Sequence, residues 1–200
     1  MIGGILVVLV SVLVFVGCQE FIAEEQRKAV NQIPIAIARI AAEDQILKQA
    51  QLLKWDGSQI STKRPITFYD FKGMPFGYMF EVVKNGEYAG YVTISARIDF
   101  FPLLESSSAP MPVENLKQCE NIAIKELGGP VGEPTLMYLR MGDYLARFTS
   151  KSGEKSIVIS LTSKMIVPEE ELEYRQTALE KKAKEIQSDA EAAWSKYISR

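Results

Sequence analysis

Phe76-Gly77-Tyr78-Met79-Phe80-Glu81-Val82-Val83-Lys84, then Asn85-Gly86, then Tyr88-Ala89-Gly90-Tyr91-Val92-Thr93-Ile94-Ser95-Ala96-Arg97 is the stretch on which the architecture turns. Two runs of aromatic and β-branched residues flank an Asn-Gly pair, whose tolerance of positive φ suits the tight turn of a β-hairpin. On the return run Val92, Ile94 and Ala96 alternate with Tyr91, Thr93 and Ser95, so one face is core and the other wetter. Upstream, Ile66-Thr67-Phe68-Tyr69-Asp70-Phe71 reads as a further strand.

Outward from this hairpin the chain alternates helix and meander. Residues 24–54 are rich in Ala, Arg, Lys, Gln and Glu, and Ile33, Ile37, Ile40, Leu47 and Ala50 fall near one helical stripe that Pro34 must interrupt. That splits the segment into a stalk, 24–34, and the first helix of a body. Beyond the hairpin, residues 105–112 form a turn-rich loop, and Pro112 opens a helix that stops at Gly128-Gly129-Pro130. A second meander follows in residues 135–167, with turns at Met141-Gly142-Asp143 and Ser152-Gly153-Glu154. Strands joined this tightly are antiparallel. Residues 168–200 form a charged helix in which Leu179, Ala183, Ile186, Ala190, Ala193 and Tyr197 make a seam, suited to docking along the first helix or to a self-associating coil. The expectation is an α+β body with an antiparallel sheet over 35–167 and a long C-terminal helix.

The N-terminus predicts where this body resides. Residues 1–17 contain no charged side chain and end at Cys18. Ile2 to Gly17 rises only about 24 Å as a helix against a hydrocarbon core of roughly 30 Å, and Phe21-Ile22-Ala23 extends it. Residues 1–23 read as an uncleaved anchor or as a lipoprotein-type signal, in which Val16-Gly17-Cys18 makes Cys18 the lipidation candidate. Either reading predicts membrane attachment; the flanking charges specify orientation poorly, and the body is expected on the extracellular side because export is what such a leader most often does.

Composition narrows the chemistry. The 200 residues are 47% hydrophobic, sufficient for one core, and the formal net charge of -2 is interspersed, which argues against nucleic-acid binding. There is no histidine. Ser-His-Asp and Cys-His catalysis are therefore excluded within the chain, along with the commonest zinc ligand. The glycines follow no dinucleotide or P-loop spacing, so no cofactor and no metal is expected. Cys119 sits in the middle helix, where it reads as a packed small side chain. Glu81, Glu105 and Asp143 are the carboxylates a residual hydrolase would use, but nothing in their spacing pairs them.

Two further stretches resemble a known family. Gly90-Tyr91-Val92-Thr93-Ile94-Ser95-Ala96 followed by Phe101-Pro102-Leu103-Leu104-Glu105-Ser106 resembles the prodomain module of streptopain-type and exported archaeal papain-like cysteine peptidases. Gly132-Glu133-Pro134-Thr135-Leu136-Met137-Tyr138 with Tyr144-Leu145-Ala146-Arg147-Phe148 is similar to that module's second half, and the likeness covers residues 36–167. Such modules assist or inhibit a peptidase domain. Here the chain continues into a charged helix and lacks the Cys-His pair, so the resemblance implies a free-standing binding module, an inhibitor or chaperone of a cysteine peptidase, and not an enzyme. Phe100, Phe101, Pro102, Leu103 and Leu104 are the candidate contacts, because adjacent aromatics beside a proline fill apolar pockets at small entropic cost. The competing expectation for this loop is that Phe100 and Phe101 close the core. The competing expectation for the whole protein is a cell-surface assembly protein that oligomerises through its terminal helices.

Overall fold

The computed structural model of the protein describes residues 31–199. The expected anchor, Cys18 and nearly all of the expected stalk lie outside the described residues, and among those described no helix is long and apolar enough to cross a membrane. Everything below belongs to one compact unit, Ile33–Arg200.

Helix α1 spans Ile35–Leu53, with Pro34 extended just before it and Lys54 in the left-handed conformation at its end. Ahead of it the Ile33 amide donates to the Ala96 carbonyl, tying the helix entry to the hairpin. Strands β1 (Gln59–Ile60), β2 (Ile66–Tyr69), β3 (Pro75–Lys84), β4 (Glu87–Ser95) and β5 (Leu103–Ser107) follow. A short 3₁₀ turn, Pro112–Asn115, leads into α2, Leu116–Leu127. Strands β6 (Thr135–Tyr138), β7 (Tyr144–Thr149), β8 (Ser156–Ser160) and β9 (Ile166–Val167) precede α3, Glu169–Ile198. The β3–β4 hairpin turns at Asn85 and Gly86 with φ of 53° and 84°, the double left-handed geometry that the Asn-Gly pair favours.

The sheet corrects one expectation. Its order is β5-β4-β3-β2-β6-β7-β8-β9, with β1 also on β3, and β2 pairs with β6 in parallel at Tyr69↔Met137. The sheet is mixed, not antiparallel throughout. Tight turns fix antiparallel neighbours within each half and leave β5 running opposite to β2; the connection through α2 reverses the chain once more, so that β6 runs in the direction of β2 and pairs with it in parallel.

Side-chain alternation along β3 divides the interior. Tyr78, Phe80 and Val82 pack with α1, while Met79, which alternates with them, packs with the cluster that includes α2 and strands β6–β8; Phe76 joins that cluster too, because the register shift opposite Phe68/Tyr69 makes it the extra residue of a β-bulge. Helix α3 serves both clusters: Leu172, Leu179 and Ala183 enter the second, Trp194 and Tyr197 the first. The expected seam is therefore buried on the chain's own body, with Leu172, Gln176 and Trp194 added and Ile186 and Ala193 only partly covered. A coil through this face would require α3 to undock.

The face of α1 also differs from the expected stripe. Ala38, Ala41, Ala42, Gln45 and Ile46 are buried, whereas Leu47 is 79% exposed. Small side chains let the helix approach the sheet closely, so the alanines, not the largest apolar residues, mark the inward face. Close approach recurs at Gly90, where φ is +147° and a Cβ would stand 2.3 Å from the Ser107 carbonyl oxygen on β5.

Candidate functional site

The Phe100–Leu104 loop leaves β4 and enters β5, and its five residues take different environments. Phe100 is buried, its ring edge-on to Phe76 at 4.9 Å, and its carbonyl accepts the Trp194 indole N–H at 2.8 Å. For this residue the core expectation holds. Pro102 is buried, and its carbonyl accepts the Ser95 amide at 2.9 Å. Phe101, between them, is 42% exposed. Leu103 and Leu104 are half-buried and alternate, one joining the α1 cluster and the other the α2 cluster.

Arg97 sets the loop's path. Its Nε donates to Asp99 Oδ1 at 2.9 Å, Nη1 reaches Asp70 Oδ2 at 3.5 Å, and the guanidinium lies 5.3 Å from the centre of the Phe100 ring. Asp70 in turn accepts the backbone amides of Lys72 and Met74, both at 2.9 Å, fixing the β2–β3 turn. Desolvation opposes the Arg97 charge, yet the hydrogen bond and field of Asp99 and the field of Asp70 raise its pKa above the ordinary value.

These constraints frame an open groove of about 350 Å³. One wall is Phe76 with Phe100, Phe101, Leu103 and Leu104; a second is the end of β6 and its turn, Tyr138 to Met141; the third is α3 between Tyr174 and Ile186. Four of the five loop residues line it, and buried Pro102 does not. The rim carries exposed apolar side chains, Met141 at 73% and Tyr174 at 74%, beside Phe101. Such a contiguous patch is characteristic of interaction surfaces.

Glu105 joins two of the walls. Its Oε1 accepts the Tyr91 hydroxyl at 2.7 Å and its Oε2 the Gly142 amide at 2.9 Å, so β5 is pinned to the β6–β7 turn. Burial, and then donation to Glu105, push the Tyr91 phenol well above its ordinary pKa, keeping it a neutral donor. Tyr144 behaves alike through burial, its hydroxyl 2.9 Å from Thr93 Oγ1.

The charged groups lining the groove are Arg140, Arg175 and Lys182. Asp143 stands behind the first two, 2.9 Å from Arg140 Nε and 2.8 Å from Arg175 Nη1, and Glu171 also pairs with Arg175. Of the other carboxylates considered from the sequence, Glu81 pairs with Lys63 at 2.8 Å on the β1 side. Cys119 is fully buried with its thiol pKa raised by desolvation, as a packing residue requires.

Sequence reasoning missed the two other walls. Met141 reads as a turn residue, and only non-local folding brings it to Phe101. Tyr174 carried a usable signal: an aromatic off the seam of a charged helix has no partner on its own element.

Fold and groove together define a small α+β domain with a half-open apolar cleft beneath a helix. Compared with known proteins, the chain matches no family model, no curated sequence and no solved structure.

Proposed function

We propose that the protein is a membrane-tethered, exported, non-catalytic binding module that holds a segment of a partner protein in the groove beside Phe101. The partner we favour is a cysteine peptidase, bound in the manner of a free-standing prodomain acting as inhibitor or chaperone. The observation that carries this reading is the convergence of the loop picked out for its prodomain-like sequence with an open apolar groove rimmed by exposed Phe101, Met141 and Tyr174. Residues 1–23 would hold the body at the outer surface of the cell membrane, where exported peptidases pass.

A thiol-directed activity probe applied to the secreted fraction of the source cells tests this. Adding the full-length chain in detergent should reduce labelling of a papain-like peptidase in a dose-dependent way, and Phe101→Ala should restore it. Labelling unchanged at micromolar protein would contradict the peptidase reading.

A further inference from the structure

The groove's lining has a charge bias that its apolar character conceals. Among the described residues its charged lining is three cations, Arg140, Arg175 and Lys182, with no carboxylate. The side chains of Arg140 and Lys182 are 68% and 61% exposed, so both heads reach solvent at the rim. Asp143 and Glu171 together match the charges of Arg140 and Arg175, but neither carboxylate is among the lining residues, so the bias is one of placement, with the cations on the groove and their counter-ions behind them. Among the described residues Lys182 pairs with Glu185 at 3.8 Å, an exposed pair one helical turn apart that competes weakly for its charge.

From this charge complementarity we infer that the groove's occupant is an extended acidic peptide segment of a partner protein, with an apolar or aromatic side chain in the cleft between Phe101 and Tyr138 and flanking carboxylates on Arg140 and Lys182. The inference rests on the binding-module reading and specifies what that module recognises. The apolar anchor supplies affinity through burial, while the cations set orientation and reject basic segments. A volume of about 350 Å³ accommodates one or two large side chains, not a folded domain. The exposed aromatic rim favours a peptide over a single-chain amphiphile, because an acyl chain is best held where its whole length is enclosed.

The test uses the full-length chain in detergent and three dye-labelled ten-residue peptides that share a central Leu-Phe pair, followed by two glutamates, two glutamines or two lysines. Fluorescence anisotropy should show the glutamate peptide binding about tenfold tighter than the glutamine peptide, with the lysine peptide weakest and the preference shrinking at high salt. Lys182→Glu should remove most of the preference without altering thermal stability, and Arg140→Glu should do the same if Asp143 keeps its bond to Arg175. Equal binding of all three peptides, lost on Phe101→Ala, would overturn the acidic specificity and leave the groove reading standing. Absence of binding by any peptide up to a millimolar would overturn both. If dodecanoate saturates the groove at lower concentration than the glutamate peptide, the occupant is an amphiphile and the inference fails.

Discussion

Phe100→Ala should destabilise the protein by about 3–5 kcal/mol, because a fully packed aromatic leaves both a lost transfer energy and a cavity, and Phe100 is only 6% exposed against Phe76. Phe101→Ala should cost no more than about 1–1.5 kcal/mol, since a ring 42% exposed buries only part of its surface, yet abolish partner binding. Urea denaturation of the two variants separates them; equal losses would mean that Phe101 is a core residue and that the groove is misassigned. The two neighbours look alike in sequence, and the choice between them is made by Trp194, which donates to the Phe100 carbonyl from 94 residues away. Gly90 gives a backbone counterpart. With φ at +147° and no room for a Cβ between Ser107 and Trp55, Gly90→Ala should cost at least about 2 kcal/mol by combining strain with overpacking. A smaller loss in the same denaturation would show that β5 can move aside.

At the scale of elements, hairpin and helix boundaries were legible because their chemistry is local: Asn85-Gly86 turns β3 into β4, Pro34 precedes α1, and Gly128, at φ 73°, closes α2. What was not legible depends on partners distant in sequence. The parallel β2–β6 join has no local signature, and the inward face of α1 follows the closeness of the sheet, which favours alanine over Leu47. The contact between α1 and α3 centres on Asp44, which accepts from Lys48, Tyr197 and Lys196. Burial disfavours its charge, but these bonds together prevail and hold its pKa at about 2, below the ordinary 3.8. A carboxylate with a lowered folded pKa stabilises the fold above its unfolded pKa and loses that contribution as pH falls through the folded one. The α1–α3 contact should therefore weaken between about pH 5 and pH 2, read as a change in Trp194 emission, and Asp44→Asn should be less stable at neutral pH and lack this acid limb. An unchanged limb in the variant would assign it to other carboxylates. Ala190→Leu, at a fully buried seam position, should cost about 1–3 kcal/mol by overpacking; a neutral outcome in thermal denaturation would mean that α3 is loosely docked.

For the molecule as a whole, α3 connects the two interior clusters and roofs the groove, so stability and recognition share an element. Its seam faces inward, and the body should therefore remain monomeric by sedimentation of the detergent-solubilised chain at high micromolar concentration. A dimer broken by substitutions along Leu179, Ala183 and Ala190 would instead restore the assembly reading. The candidate site was half legible for a related reason: the loop wall belongs to one short stretch, whereas Met141, Tyr174 and the three cations converge only when the mixed sheet and α3 are in place. If this convergence is what holds a partner's segment, residues from separate walls should touch the same partner. A photo-crosslinking amino acid placed at Phe101, at Met141 and, outside the groove lining, at Leu52, in the full-length protein in its source cells, tests this. The prediction is that the first two positions capture one shared partner peptide, apolar with adjacent carboxylates, and that Leu52 captures none of it. Capture at all three positions alike, or at none, would contradict the claim.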